Sequence, residues 1–170
     1  MKLNKNLVLV GMMGSGKSSI GKILSKKLEF EFIDTDNKIE EIEERTISEI
    51  FKINGEKYFR NIEEAISLKL LKSNNKVIAL GGGGYINPNI RKYALKNCIT
   101  IWLSWKNETL INRIKNSKKR PLAMNLNNLE LQKLIFKRST LYNLSNYKIN
   151  CDKLNKMKII KKIINFYENS

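Results

Sequence analysis

Hydrophobic residues alternate along the chain between short continuous runs and longer stretches with helical spacing. The stretches between the runs have apolar residues at every third or fourth position, which is typical of helices with one buried face. This alternation predicts an α/β fold with a parallel sheet between two helical layers and ligands at the carboxyl ends of the strands. The runs that predict strands are residues 6–10, 30–34, 77–80, 98–103 and 147–150.

Local signals predict where several helices begin and end. Residues 46–49, TISE, match a capping box, and Gly55 is expected to close the short helix that they start. A longer amphipathic helix is predicted over residues 56–72. Residues 116–128 show no periodicity and are predicted to form a long loop. No linker interrupts the apolar runs, so we expect one domain over residues 1–170, with a mobile lid at about 116–127.

The charge of the chain changes this picture little. The net charge of +16 is compatible with a nucleic-acid surface, but the lysines are scattered and accompanied by abundant Asn and Ile, as an AT-rich coding sequence would produce. No nucleic-acid partner is therefore expected. No apolar run approaches the length of a membrane span, so we expect a cytoplasmic protein without membrane contact, acting as a monomer. Cys98 and Cys151 lack metal-ligand spacing and are interpreted as structural thiols.

Residues 11–18 carry the strongest chemical signal. They fit G-x-x-x-x-G-K-[ST] between a predicted strand and a predicted helix, which is the context of a phosphate-binding loop. Backbone N–H groups at the helix start point at the phosphate, Lys17 is expected to reach the β- and γ-phosphates, and the Ser18 hydroxyl is expected to bind Mg²⁺. The motif predicts a nucleoside triphosphate site. The other residues expected to bind the nucleotide here are Gly14, Ser15, Gly16 and Ser19.

Two carboxylates, Asp34 and Asp36, follow the second predicted strand. They can face one crevice if the chain turns into a loop there; the alternative is a polar strand end with Asp36 capping the next helix. The chain contains no histidine, so a general base near neutral pH must be Asp, Glu, Lys or Tyr. The position beside the phosphate loop makes Asp36 the candidate to orient an acceptor hydroxyl.

Glycines and arginines add candidate binding residues. Gly81, Gly82 and Gly83 follow the third predicted strand, where a backbone without side chains can approach a ligand, although a flexible turn is the alternative. Arg60, Arg120 and Arg138 occur in a lysine-rich chain, which hints at bidentate recognition of a carboxylate or phosphate. Any one of them taken alone is better explained as a surface arginine.

Together these motifs resemble those of the shikimate kinases. The family's order of segments is the order found here between about Leu7 and Asn150: GMMGSGKSSIGKILSKKL, FIDTD, EKYFRNIEE, ALGGGG and RPL. The resemblance implies a P-loop kinase with a five-stranded parallel sheet in a three-layer α/β sandwich and a mobile lid. It also implies transfer of the γ-phosphoryl group of ATP, with Mg²⁺, to the 3-hydroxyl of shikimate, in the pathway to the aromatic amino acids.

The resemblance assigns roles on the nucleotide side of the site. It implies that Lys17 and Ser18 serve the ATP phosphates and Mg²⁺, and that Asp34 supports the metal through water. Arg113 matches a residue that packs over the adenine. Arg120 matches the lid arginine that neutralises charge during phosphoryl transfer, so Lys17, Asp36 and Arg120 are the expected catalytic residues.

On the acceptor side, the resemblance implies that Asp36 binds shikimate hydroxyls, with its role as a base left open. Arg60 and Arg138 are implied to hold the shikimate carboxylate, and residues 81–83 to line the same pocket. The segment at 152–156 lacks the proline common in the family's adenine-contacting loop, so no adenine contact is assigned to it.

Two other functions stay open at the level of the sequence. The first is a kinase of the same fold that acts on another polyol acid, such as gluconate, which needs a different acceptor pocket. The second is a non-catalytic module that binds ATP or nucleic acid. Such a module is expected to have lost Lys17, Asp36 or Arg120, and all three are present.

Overall fold

Five strands form one fully parallel sheet in the computed structural model, which describes residues 5–116 and 126–170. The order across the sheet is β2-β3-β1-β4-β5, with β1 at the centre. The strands are β1 (Leu7–Val10), β2 (Glu31–Asp34), β3 (Lys76–Ala79), β4 (Ile99–Ser104) and β5 (Tyr147–Asn150).

Helices connect successive strands and cover both faces of the sheet. They are α1 (Lys17–Leu28), α2 (Thr35–Glu43), α3 (Ile47–Leu71), α4 (Pro88–Asn97), α5 (Asn107–Lys115), α6 (Asn128–Tyr142) and α7 (Lys156–Glu168), with a 3-10 turn at Gly84–Ile86. The predicted α/β architecture with a five-stranded parallel sheet is confirmed. Residues 117–125 of the predicted lid, Arg120 among them, lie outside the described residues.

Two apolar layers hold the sheet between the helices. Alternate residues of β1 point to opposite faces: Leu7 and Leu9 pack with α1 and α7, whereas Val8 and Val10 pack with α4, α5 and α6. All four β1 residues are completely buried. The central strand therefore anchors the loop that leaves its carboxyl end.

Helices α2 and α3 form a smaller unit at the side of the sheet, around Ile39, Ile50 and Phe59. The predicted capping box is present, since Thr46 accepts from the Glu49 N–H and the Glu49 carboxylate accepts from the Thr46 N–H. Gly55, at φ 82°, breaks the helical path where the sequence predicted an end, although the helix resumes at once and runs to Leu71.

One prediction in this unit was wrong. The chain does not turn into a loop after β2 but enters α2 directly, with Asp34 as the cap that accepts from the Asp36 N–H at 3.1 Å. Asp36 therefore lies in the first turn of a helix, and Asp34, not Asp36, caps it. The short helix escaped the periodicity argument because Ile39 is its one buried apolar residue.

The three motif-bearing segments leave neighbouring strands at the same edge of the sheet. The phosphate loop follows β1, Asp34 ends β2, and the glycine run follows β3, which lies between β2 and β1. Parallel strands place all three segments at their carboxyl ends, where ligands bind in open α/β sheets. Within the described residues, no helix has the length and apolar character needed to cross a membrane.

Candidate active site

A cavity of about 1110 Å³ opens at this edge of the sheet. Its walls include Ser18 of the phosphate loop, Asp34 and Asp36 after β2, and the aromatic pair Phe51 and Phe59 of α3. Small-molecule sites commonly measure about 300–1,000 Å³, so the cavity is large enough for more than one small ligand. The predicted phosphate and acceptor residues share this one space.

The phosphate loop has the backbone that its glycines allow. Gly11, Gly14 and Gly16 adopt φ values of 144°, 84° and 88°, which residues with a Cβ rarely adopt. The loop curls so that the Lys17 ammonium donates to the carbonyls of Gly11 and Met12 at 2.8 and 3.2 Å. Lys17 therefore lies across the mouth of the loop, where a phosphate would meet it.

Helix α1 begins at that mouth without a side-chain cap among the described residues. Asn and Asp or Thr side chains cap most of the other helices, as Asp34 does for α2 and Thr46 for α3. At the start of α1 the cap position is Gly16, and no described side chain bonds to the N–H groups there. Uncapped N–H groups and the positive end of the helix dipole favour a bound phosphate.

Ser18 and Asp34 form a pair of oxygen donors next to the loop. The Ser18 hydroxyl donates to Oδ2 of Asp34 at 2.5 Å. No cluster of three or more Asp, Glu, His or Cys suited to a metal occurs in the described parts of the chain. Mg²⁺ usually binds through one or two carboxylates together with substrate phosphates and water, so this sparse, hard donor set fits it.

Asp36 is the carboxylate most strongly perturbed by its surroundings. Burial raises its pKa to about 6, the neighbouring Asp34 carboxylate adds to the rise, and Lys17 opposes it. A carboxyl group with this pKa exchanges its proton close to neutral pH, as a general base requires. The prediction that Asp36 faces the phosphate loop is consistent with its electrostatic contact with Lys17.

The glycine run leaves room for the side chains of Asp36 and Arg60. A Cβ atom on Gly81 would overlap with the Asp36 carboxylate, and one on Gly83 would lie 2.6 Å from Nη1 of Arg60. The N–H of Gly81 donates to the Thr35 hydroxyl at 2.8 Å, so it is already used, whereas Gly82 and Gly83 line the cavity. The glycines at 81–83 therefore make space for neighbouring side chains as well as exposing backbone to the cavity.

Arg60 lies between two carboxylates of its own helix. Its guanidinium donates to Glu63 at 2.7 Å and to Glu56 at 3.2 Å, and it lies over the rings of Phe59 and Phe51. The two partners differ sharply, since the Glu63 side chain is 3% exposed and the Glu56 side chain is 67% exposed. Glu63 thus fixes the position of Arg60, while Glu56 is a partner in contact with water.

Arg138 approaches the same place from α6. Its Nη1 would lie 3.4 Å from a Cβ on Gly82, and its charge acts on Glu63, as that of Arg60 does. Tyr142, one turn further on α6, donates its hydroxyl to the Gly82 carbonyl at 2.5 Å. Burial raises the pKa of Tyr142 to about 12, which keeps this donor protonated. The glycine loop is therefore tied to the helix that carries Arg138.

Arg113 stacks on the aromatic side chain of Trp105. Its guanidinium carbon is 3.8 Å from the centre of the Trp105 ring, and its Nη1 donates to the Gly14 carbonyl at 3.2 Å. The predicted packing of Arg113 on adenine stays a prediction. In the structure, Arg113 contacts the phosphate loop through the Gly14 carbonyl.

Sequence reasoning missed three residues of this site: Glu63, Tyr142 and Trp105. Helical periodicity does place Glu63 on the same face as Phe59, and a carboxylate on a buried face is a signal that could have been followed. Tyr142 and Trp105 act through backbone carbonyls far away in the chain, and no local pattern announces such contacts.

Comparisons with known proteins identify the family to which this chain is similar. A sequence model of the shikimate kinase family matches residues 13–168. The chain is 42% identical to the shikimate kinase of Bartonella henselae over 162 residues, covering 95% of this chain and 77% of that relative. It is also similar to the structure of shikimate kinase from Acinetobacter baumannii in complex with shikimate, with a TM-score of 0.92, 30% identity, and coverage of 99% and 95%.

A structure of a different kinase shows how far the fold alone extends. A gluconokinase from Sinorhizobium meliloti superposes with a TM-score of 0.57 at 16% identity, covering 99% of this chain and 97% of that one. At such low identity only the fold is shared. The family match, the relatives and the geometry around Arg60 and Asp36 lead to one conclusion: the chain belongs to the shikimate kinase family.

Proposed function

We propose that the chain transfers the γ-phosphoryl group of ATP to the 3-hydroxyl of shikimate, with Mg²⁺, to give shikimate 3-phosphate. One observation carries the assignment of the acceptor: Asp36, Arg60 and Arg138 surround the same cavity that the phosphate loop opens into. A carboxylated cyclic polyol needs both a cationic clamp and a hydroxyl acceptor. The related enzyme from Acinetobacter baumannii, whose structure contains shikimate, supports the same acceptor.

On the donor side, the N–H groups at the start of α1 and the Lys17 ammonium bind the phosphates of ATP. Ser18 and Asp34 are the residues that would hold Mg²⁺. When bound, the ion neutralises phosphate charge that develops during transfer. Ser18 and Lys17 are adjacent at the start of α1, so the phosphate-binding ammonium and one of the two metal-binding oxygens share one rigid element.

On the acceptor side, the shikimate carboxylate binds Arg60 and Arg138. Arg60 is paired with both Glu56 and Glu63. Releasing Glu56 costs little, because an exposed carboxylate regains its water, whereas releasing Glu63 would take its hydrogen-bonded partner from a buried carboxylate. The substrate therefore replaces Glu56, and Glu63 continues to orient the guanidinium.

Asp36 hydrogen-bonds the reacting hydroxyl and accepts its proton or orients it toward the phosphate. The phosphoryl-transfer transition state is largely dissociative and needs modest assistance from a base. A pKa of about 6 leaves Asp36 ionised at neutral pH, while its proton affinity stays higher than that of an ordinary aspartate. Either role predicts loss of turnover in Asp36→Asn.

Some features of the proposal rest on the sequence alone. Arg120 lies outside the described residues, and its catalytic role is tested by the kcat of Arg120→Ala, which we expect to fall by about 10³-fold or more. The lid, the single-domain organisation, the monomeric state and the cytoplasmic location stay predictions. Sedimentation of the purified protein tests the monomeric state.

The experiment that tests the function is ADP release coupled to a spectrophotometric readout, with Mg²⁺ and ATP. Three conditions are compared: shikimate, gluconate and no acceptor. We expect turnover with shikimate alone and none with Lys17→Ala, whose fold is checked by its melting curve. Turnover with gluconate alone, or with neither acceptor although ADP binds, would contradict the proposed acceptor.

A further inference from the structure

Trp105 connects the end of β4 to the phosphate loop across 90 positions of sequence. It lies one residue beyond β4 (Ile99–Ser104) and packs against both apolar layers of the sheet. Its indole Nε1–H donates to the Ser15 carbonyl at 2.9 Å. A partly buried indole needs a partner for its N–H, and here the partner is a backbone carbonyl of the loop that binds phosphate.

This hydrogen bond sets the direction of one peptide plane. In a trans peptide the carbonyl and the following N–H point in opposite directions, and no cis peptide bond occurs in the described chain. With the Ser15 carbonyl turned toward Trp105, the Gly16 N–H points away from Trp105. Gly16 is the cap position of α1, so this N–H belongs to the donors that the helix start offers to phosphate.

The neighbouring carbonyl is held through the same indole ring. Arg113 stacks on Trp105 with its guanidinium carbon 3.8 Å from the ring centre and donates to the Gly14 carbonyl at 3.2 Å. The side chain of Arg113 is long and exposed at the surface, and stacking on an aromatic face restricts where it can point. Two successive carbonyls of the loop, those of Gly14 and Ser15, thus depend on one aromatic side chain.

The elements that carry Trp105 and Arg113 are themselves held in place by neighbouring contacts. Asp152, in the loop after β5, accepts from the Lys106 N–H at 2.9 Å and from the Thr109 hydroxyl at 3.0 Å. These contacts fix the start of α5, the helix that carries Arg113. In β4, the strand that precedes Trp105, the Leu103 carbonyl approaches the phosphate loop so closely that it would lie only 3.0 Å from a Cβ on Gly11. The loop therefore lies against a fixed support.

We propose that Trp105 is a positioning residue for phosphoryl-donor binding: its indole N–H orients the Ser15–Gly16 peptide and its ring holds Arg113 on the Gly14 carbonyl. The proposal rests on ATP being the donor, as proposed above. Trp105 is not among the described residues that line the cavity. Its loss should therefore weaken nucleotide binding and leave shikimate binding intact.

Two substitutions separate the two contacts. Trp105→Phe keeps an aromatic ring for Arg113 but removes the N–H donor, and Trp105→Leu removes both. One hydrogen bond contributes about 1 kcal/mol, so Trp105→Phe should raise the KM for ATP and the Kd for ADP with Mg²⁺ about fivefold to tenfold. Trp105→Leu should raise both further, with the KM for shikimate within twofold in each variant.

The other tryptophan of the chain provides the matched control. Trp102 lies on β4 beside Val10 of β1, is buried, and its ring packs against Tyr142 and Lys148 rather than against Arg113. Trp102→Phe should leave the affinity for ADP within twofold and leave Trp105 as the single tryptophan, whose emission is excited selectively at about 295 nm. Its emission should change on addition of ADP with Mg²⁺, whereas the emission of Trp105→Phe, which keeps Trp102, should not.

The outcomes separate this proposal from the proposed function. If the unmodified protein fails to bind ADP by calorimetry, the nucleotide assignment fails. If it binds ADP and Trp105→Phe binds ADP equally well, the positioning role is wrong. An equal rise of the KM values for ATP and shikimate, together with a lower melting temperature, identifies Trp105 as a general packing residue and also overturns the proposal.

Discussion

Replacing Asp36 by Asn should abolish turnover and at the same time stabilise the fold at neutral pH. The pKa of Asp36 is raised from 3.8 to about 6, mainly by burial and by the Asp34 carboxylate. A raised pKa means that the folded state binds the proton more tightly than the unfolded state does. Ionising Asp36 therefore costs the folded protein stability, and the cost appears as pH rises from below 3.8 to above about 6.

The shift in pKa gives the magnitude. At about 1.36 kcal/mol for each pKa unit, the full cost above pH 6 is at most about 3 kcal/mol. At pH 4.5, where most of the Asp36 carboxyl groups of the folded protein are protonated, the cost is about 1 kcal/mol on the same relation. Asn has a similar shape without the charge. We therefore expect Asp36→Asn to exceed the unmodified protein in stability by about 2 kcal/mol more at pH 8 than at pH 4.5.

Thermal melting in EDTA without nucleotide measures this difference. For a chain of this size about 1 kcal/mol shifts the melting temperature by about 2–4 °C, so the advantage of Asp36→Asn should grow by about 4–8 °C between pH 4.5 and pH 8. Glu41→Gln, which removes an exposed carboxylate from the same helix, is the control and should show little change with pH. An advantage that is constant with pH, or turnover within tenfold of the unmodified enzyme, would refute the reasoning.

Three further predictions concern contacts around the site. Glu56→Gln should lower the KM for shikimate by up to about fivefold, because an exposed competitor for Arg60 is removed. Glu63→Gln should instead raise the KM for shikimate and lower the free energy of unfolding by about 1–2 kcal/mol. Equal KM values for shikimate in the two variants would contradict the replacement of Glu56 by the substrate. Arg60→Lys should raise the KM for shikimate by about tenfold or more, since an ammonium lacks the bidentate fork, with the KM for ATP unchanged and the exposed Arg45→Lys as control. Asp152→Ala should lower the free energy of unfolding by about 1 kcal/mol, measured in urea, because the Lys106 N–H and the Thr109 hydroxyl at the start of α5 lose their acceptor, and Asp152→Asn should restore most of it; an unaltered urea midpoint in Asp152→Ala would show that these two hydrogen bonds add nothing.

The positions of the strands along the chain and the phosphate loop could be predicted because both depend on neighbouring residues. The apolar run of β1 and the glycines at 11 and 16 are close together in the chain, and they act through local backbone conformation. Alternation of strands and helices then limits the sheet to few topologies. Asp34 and Asp36 followed from the same logic, since the end of a parallel strand in this fold is where ligands bind.

The rest of the site depends on contacts that the sequence does not announce. Gly81 and Gly83 were predicted to present backbone to a ligand, but each also makes space for a charged side chain from another element. Glu63 lies on a predicted buried face, yet periodicity says nothing about the arginines that neutralise it. Trp105 reaches a carbonyl 90 residues away. Such pairings are fixed by packing of whole elements.

Two features that conflict with stability lie together at the edge of the sheet where the site is. The start of α1 has no side-chain cap among the described residues, and Asp36 has a raised pKa. Elsewhere Asn87, Asn127 and Asn155 cap α4, α6 and α7. A phosphate would satisfy the uncapped N–H groups, and a substrate hydroxyl would give the Asp36 carboxylate a hydrogen bond. Because ligands can supply what the chain itself does not, the costs at this edge of the sheet mark the site as independently as the motifs do.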